Sequence, residues 1–301
     1  MKLSLQIDQI DALELSRDKF RNHYLTKSKP LIIKNFANLF PAGKLWTFEY
    51  LNKIMGNHKV GIIDSSKSRN TAYTGYDLTM SFSEYSSIIQ RDEETSFRIF
   101  LFNMFKEFPE LRKEFPTPDL VKGVLGNLGL AFFGGKNSKV RFHFDIDCSS
   151  VLMTQIIGRK RVILISPFYD KLIYKVPLTS FSLIDPDQPD YEKFSALRYV
   201  EGYDFIVQPG DAVFMPSRYW HFNTYLEGGM AVSYRIMANN PADIYNGLMN
   251  TTIRLVFDKF MNSTIGDSWM QKKKILAIDN ANNMIKKLQE EQKITLLSEG
   301  I

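Results

Sequence analysis

The sequence predicts a mainly β protein, an antiparallel sandwich or barrel with helices at both ends. Three observations carry that prediction. Between about residues 129 and 237, short apolar runs follow one another with turn residues between them: LAFFGG, KVRFHFDID, SVLMTQIIG, RVILISP, YDFIVQPGD, AVFMP, HFNTYLEGG and MAVSYRIM. No 3.6-residue apolar period intervenes, so turns and not helices connect the strands. Aromatic residues are abundant, with 23 Phe and 14 Tyr in 301 residues, which suits a pleated, half-buried surface.

Taken in order, SKPLIIKNFANLF (28–40) reads as a buried strand entered through Pro30. TFEYLNKIMGNH (47–58) has its apolar residues at helical spacing and a stop at Gly56–Asn57. SFSEYSSIIQ (81–90) is a helix whose N-cap Ser81 and Glu84 form a capping box. FRIFLFNMF (97–105) is a strand, and PELRKEFP a short helix closed by Pro116 and Pro118. Within the β region, FSLIDPDQPDYEKFSAL (181–197) is a polar, Pro-containing loop. After NNPAD (239–243) two amphipathic helices follow, IYNGLMNTTIRLVFDKFM and KILAIDNANNMIKKLQEEQ. The expected organisation is one domain over 1–240, with its β core at about 97–237, and a helical region over 241–301.

Composition narrows the class. A hydrophobic fraction of 44% and a charged fraction of 24% are globular values, not those of a disordered chain. Cys148 is the single cysteine, which excludes an intramolecular disulfide. The first residues, MKLSLQIDQIDALELS, are too interrupted by acids for a signal peptide, and no apolar run approaches the roughly 18–20 residues needed to cross a bilayer. A cytoplasmic protein without membrane contact is expected. A net charge of +5 permits an anionic partner such as RNA, but the lysines are not gathered in one tract and read more simply as solvated helix faces.

Chemistry concentrates around two of the four histidines. In RFHFDIDCSS (141–150), His143, Asp145 and Asp147 alternate with apolar residues, so an extended chain points all three to one side. His221 lies 78 residues beyond His143, behind a Pro209–Gly210–Asp211 turn, on another strand. A bare H-x-D is common by chance, and a single His after Trp220 reads as a core residue. Together, from distant strands, two imidazoles and one carboxylate suit Fe(II) and leave open coordination positions. Asp147 serves substrate contact or sits solvated at the strand end, while Tyr219 and Trp220 read as packing. GLAFFGGKN (129–137) lacks P-loop spacing and reads as a turn between strands. Cys148, with no flanking His, reads as a small buried hydrophobe.

The spans HFDIDCSSVLMTQIIGRKRVILISP, IDPDQPDYEKF and VQPGDAVFMPSRYWHFN…GGMAVSYRI resemble the JmjC, cupin-like family of Fe(II)/2-oxoglutarate oxygenases. The likeness is greatest to the branch holding the asparaginyl hydroxylase of hypoxia-inducible factor and the tRNA wybutosine hydroxylase. It extends upstream through KPLIIKNF, LWTFEYLNK and ELRKEFP, covering roughly 8–240. It implies a double-stranded β-helix (jelly-roll) core and an iron triad of His143, Asp145 and His221. It also implies Lys160 as the cation for the far carboxylate of 2-oxoglutarate, in a reaction that consumes O2, releases succinate and CO2, and hydroxylates a C–H bond. Alternation favours Lys160 pointing opposite to Arg159 and Arg161.

Departures from the family pattern bear on the cosubstrate. Two extra residues separate His143 from the lysine, requiring a bulge or longer turn around Cys148–Ser150. Phe100 stands where the asparaginyl hydroxylase has a tyrosine, and Val140 where it has a threonine; Asn103 or Thr154 would compensate. Arg235 replaces an asparagine, as a second anion contact or a structural ion pair. The resemblance further implies a homodimer through the C-terminal helices, with Ile253, Leu255, Val256 and Phe260 as the apolar stripe. The expected substrate is a protein side chain; a modified tRNA base is the alternative, and a non-catalytic metal- or acid-binding cupin is the second. Specificity is expected in loops around 60–80 and 168–200.

Overall fold

The computed structural model describes residues 1–67, 75–91, 93–123 and 128–298. Part of the 60–80 segment expected to carry specificity therefore lies outside the described residues. Among the described residues the strands run in chain order as β1 (Asp8–Asp11), β2 (Leu31–Lys34), β3 (Lys59–Asp64), β4 (Leu78–Ser81), β5 (Phe97–Phe102), β6 (Gly129–Gly134) and β7 (Lys139–His143). They continue as β8 (Ser150–Ile157), β9 (Lys160–Ile165), β10 (Tyr203–Val207), β11 (Ala212–Met215), β12 (Trp220–Tyr225) and β13 (Gly229–Ile236). Nine form a large sheet in the order β1-β2-β11-β8-β13-β6-β5-β3-β4, and four a small sheet, β10-β9-β12-β7. From β6 to β13 the chain crosses between the sheets at every step but β9–β10, as in a jelly roll, and β1–β5 widen the large sheet at both edges.

Strand alternation sorts the side chains into three apolar clusters. Val151, Met153, Val213, Met215 and Ala231 from the large sheet meet Val162, Leu164 and Val207 from the small one. This is the core between the sheets. On the outer face of the large sheet, Leu152, Phe214 and Val232 pack with Leu51 and Met55 of the helix Phe48–Met55 and with Phe82, Tyr85 and Ile89 of Phe82–Ile89. The second helix begins with the capping box foreseen at Ser81 and Glu84. The small sheet's outer face, with Phe142, Ile163, Ile165, Trp220 and Phe222, is covered by residues from the 172–200 segment and by Ala281 of the last helix. The 181–197 loop is consequently less polar in its packing than in its composition: Ile184, Phe194, Ala196 and Leu197 are buried.

The strand expected over KVRFHFDID ends at His143. Its pairing partner β12 begins at Trp220, and His221 already stands opposite His143. Beyond that point β12 offers no further partner; the Phe144 N–H donates instead to the Ser180 carbonyl at 3.0 Å, and the chain turns: the Cys148 N–H donates to the Asp145 carbonyl at 2.8 Å, with Cys148 left-handed at φ +53°. The longer turn required near Cys148 is accommodated there.

C-terminal to β13, the helix Pro241–Met249 passes through a wide turn, Asn250–Arg254, into Leu255–Ile265. Gly266, at φ +64°, reverses the chain into Asp267–Ser298. A buried ion pair joins the two arms, Lys273 Nζ to Asp258 Oδ1 at 2.5 Å, and Trp269 Nε1 donates to the same oxygen at 2.8 Å. Asp258→Ala leaves the ammonium buried without its counter-charge, so the helical hairpin is expected to lose about 3–5 kcal/mol. Amide exchange over 255–290 in urea checks this: it should rise well before exchange in β8 and β13. No helix among the described residues is long and apolar enough to cross a membrane.

Candidate metal centre

Phe142, Trp220 and Phe222 occupy the outer face of the small sheet. Alternation therefore turns their neighbours His143 and His221 inward, where the two are register partners with ring centroids 4.2 Å apart. Asp145 joins them from the turn after β7. One ligand atom from each of His143, Asp145 and His221 lies within 4.8 Å of the others. Each imidazole is oriented by its own strand: His143 Nδ1 sits 2.6 Å from the Arg141 carbonyl and His221 Nδ1 3.1 Å from that of Tyr219. A carbonyl only accepts, so Nδ1 carries the proton and the Nε2 lone pair is left for a metal.

Charge reinforces this assignment. Burial, aided by the neighbouring His221, pushes the His143 imidazole down to about 3, and burial also lowers His221. Burial opposes ionisation of Asp145, but the Arg235 guanidinium on its Oδ2 outweighs it and holds the carboxyl well below the usual range. Near neutral pH the site presents two neutral imidazoles and one carboxylate, the protonation states that metal ligation requires.

Polar contacts fix both ligand-bearing segments. Arg235 contacts Asp145, donates to Ser149 Oγ at 3.2 Å and lies 3.8 Å from Asp147 Oδ1. Asp147 accepts from the Ser149 N–H and hydroxyl at 3.1 and 2.9 Å. The Ser217 hydroxyl donates to the Cys148 carbonyl at 2.6 Å, and its N–H donates to Ser150 Oγ at 2.9 Å, tying the turn after Asp145 to the approach to His221. Arg218 bridges Asp170 and Asp243, and Trp220 Nε1 donates to Asp170 Oδ1 at 2.6 Å. From below, the helix Pro241–Met249 comes so close that a Cβ on Gly247 would meet the Asp147 carbonyl at 2.1 Å. Only glycine permits that approach.

Lys160 shares the inner face of β9 with Val162 and Leu164 and is 2% exposed. Its cross-strand neighbour Tyr225 lies on the same face of β12 as Asn223 and His221, so the three form a row running from lysine to metal ligands. Among the described residues Lys160 Nζ meets soft groups, Met153 Sδ at 3.7 Å and the Tyr225 ring at 4.2 Å from its centroid. Burial, then the nearby charge of Arg98, lowers its pKa to about 7. Asn223 Oδ1 is buried without a hydrogen-bond partner. A cavity of about 400 Å3 opens beside His143, walled by Arg98, Phe100, Val140, Phe181, Ile184 and Phe222.

Two expected contacts are not brought to this space. Thr154 pairs with Ala212 and Val232, both in the outer cluster, so it shares the outer face with Leu152. Asn103 lies past the irregularity of β5 at Leu101 (φ +56°) and caps a short helix away from the cavity lining. Arg98 and Asn223, not anticipated from the sequence, occupy the inner side instead. Asn223 was legible as the residue two beyond His221 on one strand face; Arg98 had no comparable signal.

The donor set fits iron, and the buried Lys160 ammonium with the unpartnered Asn223 amide oxygen on the same face fits an acidic cosubstrate. Residues 17–235 match the family described as "Cupin-like domain". Among curated proteins the chain is 24% identical over 228 residues to "Lysine-specific demethylase 8" of Xenopus tropicalis, covering 73% of this chain and 50% of that protein. It is 22% identical over 262 residues to "tRNA wybutosine-synthesizing protein 5" of Gallus gallus, covering 81% and 80%. It is 24% identical over 237 residues to "JmjC domain-containing protein D" of Dictyostelium discoideum, covering 69% and 51%. The chain thus spans about half the length of the demethylase it matches. The jelly-roll topology, the His143–Asp145–His221 cluster and these matches agree: the chain belongs to the cupin-like, JmjC family of 2-oxoglutarate oxygenases.

Proposed function

We propose that this protein is an Fe(II)- and 2-oxoglutarate-dependent dioxygenase that hydroxylates a C–H bond of a macromolecule, with a protein side chain as the first candidate. The convergence of two neutral histidines and one carboxylate beside a cavity carries the reading. Iron held there supplies oxidative decarboxylation of the cosubstrate coupled to C–H oxidation. His143 and His221 offer Nε2, Asp145 offers a carboxylate oxygen, and Arg235 keeps that carboxylate ionised and oriented. Lys160 neutralises the far carboxylate of 2-oxoglutarate, with Asn223 beside it. Phe100 and Phe181 line the cavity beside His143 together with Arg98, Lys139 and Arg141, and its volume of about 400 Å3 admits a single extended side chain.

A modified tRNA base is the second reading, favoured because the wybutosine-synthesizing relative matches over about four-fifths of both chains. Succinate formation with Fe(II) and O2 tests the oxygenase itself. Its stimulation by a peptide pool or by tRNA separates the two substrates, and binding of 2-oxoglutarate without succinate would point to a non-catalytic cupin. We further propose a homodimer through the C-terminal helices, supported by Ile253, Val256 and Phe260 being 59%, 64% and 61% exposed along one segment. Val256→Glu with Phe260→Glu is expected to yield a monomer by sedimentation; unchanged mass would count against the dimer.

A further inference from the structure

On the far side of the turn that carries Asp145, a second cavity of about 730 Å3 lies between residues 170–179 and the C-terminal helices. Lys171, Lys175, Arg254 and Lys287 converge on it, with Asn246, Asn250, Asn280 and Asn283 between them. Asp170 is the single carboxylate in the lining, and Arg218 and Trp220 already engage both of its oxygens. Among the described residues Arg254 meets neutral amide oxygens, Asn250 Oδ1 at 2.7 Å and Asn246 Oδ1 at 3.4 Å. Lys175 lies over the Phe144 ring at 4.8 Å, and burial lowers its pKa.

Four cations line one concavity and repel one another, and the one carboxylate in its lining, Asp170, is shared with Arg218 and Trp220 and so offsets them only in part. Amide groups between cations are the surroundings that satisfy the many acceptor oxygens of phosphate. The volume exceeds that of one phosphate ion, leaving room for the body that carries it. We propose that this cavity binds a phosphorylated small molecule bearing at least two negative charges. Its position is separate from the metal centre but not remote: Asn250, which Arg254 grips, also donates to the Ile146 carbonyl at 3.0 Å. The inference does not depend on the oxygenase reading.

Titration calorimetry of the full chain with inorganic pyrophosphate, in metal-free buffer at low salt, tests it. Saturable one-site binding is expected, weakened about tenfold or more by Arg254→Gln and separately by Lys175→Met, each removing a charge-assisted contact. Added salt should weaken binding, and Lys160→Met should leave it unchanged. Arg254→Gln guards against a folding defect from Lys175→Met, since Arg254 holds the Asn246 and Asn250 amides whereas Lys175 lies over the Phe144 ring. Absence of saturable binding at millimolar pyrophosphate would overturn the proposal, as would loss only in Lys160→Met. So would capture of a short single-stranded RNA through Lys175 and Arg254 without pyrophosphate binding, which would make the cavity a nucleic-acid contact.

Discussion

His143→Ala, supplied with Fe(II), O2 and 2-oxoglutarate, is expected to form succinate at least about 1,000-fold more slowly than the unaltered chain, equivalent to roughly 4 kcal/mol. The triad gives the metal three donors, and removal of one leaves two, too few to hold it in a fixed orientation. The loss should not arise from misfolding. His143 sits at the end of β7, with its ring against His221 and its Nδ1 on its own strand's Arg141 carbonyl. Because the fold holds this ring neutral to about pH 3 while an unfolded histidine titrates near 6.5, the metal-free protein is destabilised as pH falls through that window. The unfolded chain then binds a proton that the native chain does not. His143→Ala should therefore flatten the decline in stability between pH 6.5 and 5 while abolishing turnover. Full succinate formation by the variant would remove His143 from the metal site.

His143, His221 and Lys160 were legible because strand parity places a side chain once one neighbour is known to be core. Phe142, Trp220 and Val162 supply those neighbours. Asp145 was found by spacing, yet the alternation invoked for it stops two residues earlier, where β7 runs out of partner strand. Thr154 illustrates the limit of the same rule. Its parity with Leu152 is readable, but which parity faces the other sheet depends on β11 and β13 flanking β8, and those pairings bridge about 60–80 residues. Arg235 offered two roles from sequence; only the turn after β7 puts Asp145 against it. Arg98 is placed by the pairing of β5 with β6, opposite Gly134, where Tyr225 and Ser138 stand in the position a side chain would take. Non-local pairing of this kind leaves no local pattern.

Lys160→Met is expected to weaken 2-oxoglutarate binding by about 100- to 1,000-fold, the scale for removing one partner of a desolvated charge pair. The same change should stabilise the protein without cosubstrate. In that state the ammonium is 2% exposed and meets a thioether and an aromatic face where a carboxylate would satisfy it; methionine fills similar space with no charge to desolvate. A merely structural lysine would give the opposite sign in stability. The pH dependence follows from the pKa of about 7. A dicarboxylate pairs with the protonated form and raises its pKa, so binding takes up a proton. Affinity should be constant below about pH 7 and fall by roughly tenfold per pH unit above it. Stability without cosubstrate runs the other way. Between about 7 and the ordinary lysine value of 10.5, the unfolded chain retains a proton that the native chain has released, so this residue's contribution rises with pH. Calorimetry in buffers of different ionisation enthalpy counts the proton taken up, and Lys160→Met should abolish that uptake. Unaltered affinity in Lys160→Met would mean that the far carboxylate is held elsewhere, with Arg98 the next cation along the inner wall.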